Sequence, residues 1–115
     1  MSITETQIDT EALKSYFLGL QDRITKTFGE LDGKAFITDE WQKPADSKLQ
    51  GYGRTCILAG GHILEKGGVG FSHVHGKQTP PSATHHRPEL TGREFEAMGL
   101  LWYFILTILM HQLPI

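Results

Sequence analysis

The sequence predicts one long helix followed by antiparallel strands, an element order of the α+β class. Three observations carry this. Apolar residues recur at three- and four-residue steps between residues 4 and 31. Glycines then punctuate Gly51–Gly76, where residues alternate in polarity as strands do. Gly60-Gly61 is a turn signal between two strand-like runs. With 115 residues the chain is at most one small domain. A formal net charge of −2 supplies no basic footprint for nucleic acid and no polybasic patch for an acidic membrane. Cys56 is the single cysteine, which excludes an intramolecular disulfide and fits a reducing compartment. Met1 to Asp9 is polar and acidic, without the features of a targeting signal, so a cytoplasmic location is expected.

The helix is expected over residues 4–31, with Ile8, Ala12, Leu13, Tyr16, Phe17, Leu20, Ile24, Phe28 and Leu31 facing the core. Lys14, Asp22, Arg23 and Lys26 fill the other face. Thr4 with Gln7 reads as a capping box, Asp9 or Thr10 as a later start, and Gly29 and Gly33 as stops. Residues 35–41 give mixed signals. Arg54–Ala59 reads as a strand and His62–Glu65 as its hairpin return, kinked or ended by Gly67-Gly68. Val69–His75 reads as a third strand, with Val69, Phe71, His73 and His75 on one face and Gly70, Ser72 and Val74 on the other. Pro80-Pro81 marks a loop or edge, Arg87–Gly92 a turn, and Phe95–Met98 the start of a new element. Leu100–Met110 is apolar but too short to span a bilayer, so membrane association is not expected. As a real element it reads as a buried helix or strand, and exposed it is an aggregation hazard.

Histidines offer the sharpest chemistry in the residues alone. His73 and His75 share a strand face, and His85 and His86 follow; imidazoles at two-residue spacing can converge on Zn²⁺ or Cu²⁺. No cysteine pair or helical His-Glu pattern supports that site, and satisfied or solvent-facing histidines are the simpler reading. Cys56, inside a strand, reads as a packing or surface thiol.

One stretch carries a resemblance. Glu65-Lys66-Gly67-Gly68-Val69-Gly70-Phe71-Ser72-His73-Val74-His75-Gly76 is followed by Pro80 to Leu90, containing Arg87-Pro88-Glu89, and then by Phe95-Glu96-Ala97-Met98-Gly99. Upstream stand Trp41-Gln42 and Gly51-Tyr52-Gly53-Arg54. This ordered set, dense from Gly51 to Gly99, resembles the N-terminal part of the oxygen-dependent coproporphyrinogen III oxidases. Glu65, Lys66, Gly67, Val69, Ser72, Val74 and Gly76 match the family's strand-and-turn pattern, with Arg54, Arg87, Pro88, Glu89 and Phe95 as further scaffold positions. Arg54, Arg87 and Glu89 read as members of structural ion pairs. Gly68 and Gly70 stand where the family has alanine and asparagine. Tyr52 interrupts a glycine run, and Pro44–Gln50 looks like a short insertion.

The resemblance implies an α+β fold in which a large, fairly flat antiparallel sheet is covered by helices on both faces, working as a homodimer. It implies oxidative decarboxylation of two propionates of coproporphyrinogen III by molecular oxygen, giving protoporphyrinogen IX. No organic cofactor is implied, and a metal requirement is disputed in the family. After Gly99 the resemblance stops, before the family's substrate-binding serine and proposed proton-donating histidine, so no catalytic or substrate-binding residue is carried over, and His111 is not that histidine. One permissible codon choice for Leu100–Ile115, read from its third nucleotide, encodes Ser-Leu-Val-Phe-His-Pro-Asn-Asn-Pro-Tyr-Ala-Pro-Thr-Ser-His, the family's continuation. Residues 1–99 are therefore expected to be the start of an oxidase domain, incomplete in its sheet, and 100–115 an out-of-frame tail. Three expectations follow for function: an inactive truncated oxidase, a fragment that pairs with an intact oxidase subunit through an exposed sheet edge, or a small histidine-based metal-binding protein.

Overall fold

The computed structural model describes residues 9–77 and 94–107. Helix α1 runs Thr10–Asp32, which selects the later of the expected starts. Asp9 sits outside the helix in extended backbone and its Oδ1 accepts from the Ala12 N–H at 3.0 Å, satisfying one orphan donor. Gly33 closes the helix in the left-handed region (φ 84°), its N–H donating to the Gly29 carbonyl at 2.8 Å. Thr4 and Gln7 lie outside the described residues. Among the described residues no helix is long and apolar enough to cross a membrane.

Four strands follow: β1 (Ile37–Gln42), β2 (Leu49–Ala59), β3 (Leu64–Gly76) and β4 (Phe95–Leu106). Each pairs antiparallel with the next, giving the order β1-β2-β3-β4. The architecture is α+β, an open and incomplete sheet with one helix on it. The ambiguous segment at 35–41 is an edge strand. β2 begins at Leu49, earlier than expected, because Gln50 ties the preceding loop together: its Nε2 donates to the carbonyls of Pro44, Ala45 and Ser47 at 3.0, 3.2 and 2.7 Å.

The largest departure is at Gly67-Gly68, which neither end nor kink a strand; β3 runs through them unbroken, joining the expected hairpin return to the expected third strand. Aromatic rings from β4 occupy the space their side chains would fill, Phe104 over Gly67 and Tyr103 over Gly68. Glycine in a strand costs packing, and a cross-strand ring restores it. The irregularity lies instead at Glu65, where the β3–β4 register shifts between Leu64 and Lys66.

Helix α1 also presents a different edge to the sheet than the stripe implies. Gln21 is completely buried, whereas Leu13, Tyr16 and Leu31 are exposed. The Gln21 amide explains the rotation. Its Nε2 donates to the carbonyls of Arg54 (2.7 Å) and Val69 (2.9 Å), and its Oε1 accepts from Arg54 Nε at 2.7 Å. A buried amide is tolerated when its groups are paired, and this one spans two strands. Beneath the helix lie Cys56, Leu58, Leu64, Val69 and Phe71, all nearly inaccessible. Phe28 stacks on Phe104 with centroids 4.0 Å apart, drawing β4 under the helix.

Strand alternation sends the remaining side chains to the opposite face. Gly51, Gly53, Thr55 and Ile57 share it with Gly68, Gly70, Ser72, Val74 and Gly76, alongside Trp41, Gly99, Leu101 and Tyr103. No other described element packs on this face.

Candidate functional site

On the helix side, polar groups from four elements meet in one chain. Lys14 of α1 places Nζ 4.7 Å from the centroid of the Tyr52 ring on β2. Its hydrogen bond to the Tyr52 hydroxyl raises the ammonium's pKa above the ordinary lysine value, against a smaller desolvation effect. The Tyr52 hydroxyl is 3.4 Å from His73 Nδ1 on β3, and His73 Nε2 is 2.6 Å from Glu96 Oε2 on β4. A consistent donor order runs from the Tyr52 hydroxyl to Nδ1 and from Nε2–H to Glu96, with the tautomer assigned from this network. The Tyr52–His73 link is long and therefore weak; the His73–Glu96 link is short and charge-assisted. The chain fastens β4 to the centre of the sheet.

Arg54 lies one step along β2 on the same face. Nη2 donates to Asp22 Oδ1 at 2.8 Å and to the Leu18 carbonyl at 3.2 Å. With Asp22 largely in solvent, the ion pair itself contributes under about 1 kcal/mol. The guanidinium's larger effect is to orient Gln21. Between α1 and β1 a cleft of about 390 Å³ is lined by Lys14, Leu18, Glu40, Tyr52 and Arg54, while the Trp41 ring turns to the opposite face over Gly53. Tyr52 points to this side, towards His73.

Sequence reasoning passed over Asp32. This last helical residue is buried, and its carboxylate accepts the backbone N–H groups of His62 (3.0 Å), Ile63 (2.7 Å) and Leu64 (2.7 Å) at the β2–β3 turn. The Leu64 N–H lowers its pKa most; burial opposes, and the Ile63 and His62 N–H groups add to the lowering. A carboxylate at a helix C-terminus is locally unfavourable, so nothing within the helix points to this role. The one available signal is Gly61, where any side chain would strike the Asp32 carboxylate.

The opposite face carries an open patch. Gly70 is paired with Leu101 and Ser72 with Gly99, and among the described residues nothing lies within 4 Å of where a side chain on Gly70 or Gly99 would begin. Elsewhere on this face rings cover the glycines: Trp41 over Gly53, with its Nε1 donating to Thr55 Oγ1 at 3.1 Å, and Phe95 over Gly76.

His73 and His75 both project to the helix side, His73 held by Glu96 and His75 exposed. His85, His86, Arg87, Pro88 and Glu89 lie outside the described residues, as does His111. Among the described residues no three metal-ligating side chains converge. Glu65 and Lys66 are exposed beside the bulge, Val69 and Gly76 are buried, and Val74 is half-buried on the patch face. Compared with known families, the chain matches Coproporphyrinogen III oxidase over residues 12–107, which runs past Gly99 to the end of the described strands.

Proposed function

We propose, because this chain belongs to the coproporphyrinogen III oxidase family, that it forms the first part of a bed for coproporphyrinogen III and does not by itself carry out the decarboxylation. The supporting observation is the open patch at Gly70, Ser72 and Gly99. Glycine in a strand interior marks a place where another molecule approaches the backbone closely. A flat, ring-free patch beside the Ser72 hydroxyl accommodates a large macrocycle better than the ring-covered ends of the same face. In the family reaction, molecular oxygen is the co-substrate that takes up the electrons released as each propionate loses CO₂ and becomes a vinyl group; this chain's own part is to hold the macrocycle.

On this reading Leu100 to Ile115 is out of frame. Pairing of Leu100–Leu106 in β4 does not weigh against it, since aromatic and branched residues favour a strand whatever their origin. Resequencing the gene across these codons tests it; codons that cannot encode the family's continuation in a second frame would sink the idea. The activity test is incubation of the purified chain with coproporphyrinogen III in oxygenated buffer. No product above the uncatalysed background is expected. Catalysed protoporphyrinogen formation would overturn the inactive reading. Anaerobic equilibrium dialysis tests the bed: weak binding is expected, and Gly70→Phe should abolish it without lowering the melting temperature.

A further inference from the structure

We infer, resting on that reading of the patch, that Lys43 and Lys66 are its carboxylate anchors and hold propionates of the macrocycle at opposite ends of the bed. Outside the bulge at Glu65, alternation puts two charged strand residues on the patch face, Asp39 of β1 and Lys66 of β3. Lys43 joins them from just beyond β1. Its N–H donates to the Gly51 carbonyl at 2.8 Å, which continues the β1–β2 pairing by one residue. Its Nζ lies 5.8 Å from the centroid of the Trp41 ring. That ring covers Gly53 on the patch face and is fixed by its bond to Thr55. The contact is close to the outer limit of a cation–π interaction, about 6 Å, so it guides the ammonium without immobilising it.

The two lysines bracket the ring-free floor. Gly51 pairs with Val74, so Lys43 stands level with Val74, four residues from Gly70 along β3. Lys66 stands four residues from Gly70 in the other direction. At the rise of a strand each level is about 13 Å from Gly70. A lysine carries its charge on a flexible four-carbon stem, so both ammonium groups can lean in over the rim of a ligand centred there. Asp39 is cross-strand from Thr55, and Thr55 from Gly70, so this carboxylate stands level with the middle of the floor. A negative charge beside the middle and a positive charge towards each end turn the propionates to the ends. Among the described residues neither lysine forms an ion pair. The helix-side cations are already engaged, Lys14 by Tyr52 and Arg54 by Gln21 and Asp22.

Anaerobic equilibrium dialysis of the whole chain with coproporphyrinogen III tests the anchors. Lys43→Gln and Lys66→Gln should each weaken binding about threefold. The double variant should lose about tenfold, because sites this far apart act independently. Lys43→Arg and Lys66→Arg keep the charge and should bind as the wild type does. Lys26→Gln removes an equal charge from α1 and should change nothing, which separates placement from net charge. Added salt should weaken the wild type more steeply than the double variant. All of these variants should keep the wild-type melting curve, so a lost anchor is not confused with a lost fold. If Gly70→Phe abolishes binding while the double Gln variant binds as the wild type does, the bed stands and the anchors fall. If Lys26→Gln weakens binding as much as the anchor variants do, net charge is the cause and the inference is overturned. If the wild type binds no macrocycle, the bed fails and the anchors fail with it.

Discussion

The two edges of the sheet are built to opposite specifications. β1 is six residues long and carries Asp39 and Glu40 among largely exposed positions, with Ile37 as its exposed large hydrophobic. β4 is twelve residues long and presents an uncharged run ending in Phe-Ile-Leu. Short length and charge are the ordinary means of keeping an edge from pairing, and β1 has both. β4 has neither at its apolar end. Each is anchored inward by an aromatic, Trp41 over Gly53 and Phe104 over Gly67. The difference is therefore not in how the strands are held but in what they show outward: one closes the sheet and the other invites extension.

The comparison can be broken from its centre. Asp32 latches the β2–β3 turn from which both outer strands hang, and Asp32→Ala leaves three backbone donors without their acceptor in a buried corner. Loss of the cooperative thermal transition is expected, the largest effect of the set. Truncating the core itself comes next: Phe71→Ala should cost about 3–5 kcal/mol in denaturant unfolding. Phe104→Ala, at a half-buried ring, should cost roughly 2 kcal/mol and loosen β4 selectively, visible as faster amide exchange there than in β1.

Acid should act through the same latch. The Asp32 pKa is lowered in the folded chain from an ordinary value of 3.8, so the unfolded state binds the proton more readily. Its contribution is complete above that ordinary value and is lost as pH falls through the lower folded one. Melting curves from pH 6 down to pH 2 should show a drop below about pH 4 that Asp32→Asn largely removes. The smallest effects on stability, within about 0.5 kcal/mol, belong to the outer surfaces. Asp39→Val with Glu40→Val should leave the melting temperature nearly unchanged yet make β1 self-associate. If these substitutions leave the sedimentation profile unaltered, charge is not what keeps that edge apart.

Much of this was legible in the order of residues. The helix start at Asp9, its stop at Gly33 and the Gly60-Gly61 turn are local events, decided by capping and by glycine's freedom at positive φ (84° at Gly33, 63° at Gly60). The alternation from Val69 to His75 placed His73 and His75 on one face because a strand's period is two. The family's motifs, being contiguous, were equally readable. Gly67-Gly68 were misleading. Glycine reads as an interruption until a strand over thirty residues away in sequence brings Phe104 and Tyr103 to fill the space, a pairing no local window contains.

By itself, then, the sequence determined the family, the helix-then-strands order and the turn positions, all properties of neighbouring residues. Tertiary structure decided which edge of α1 faces inward, that Asp32 is a latch rather than a frayed terminus, and that Tyr52 and Glu96 meet at His73. Those outcomes depend on hydrogen-bond partners supplied by other strands. A buried amide or carboxylate goes where its donors and acceptors are, whatever the hydrophobic stripe of its own helix implies.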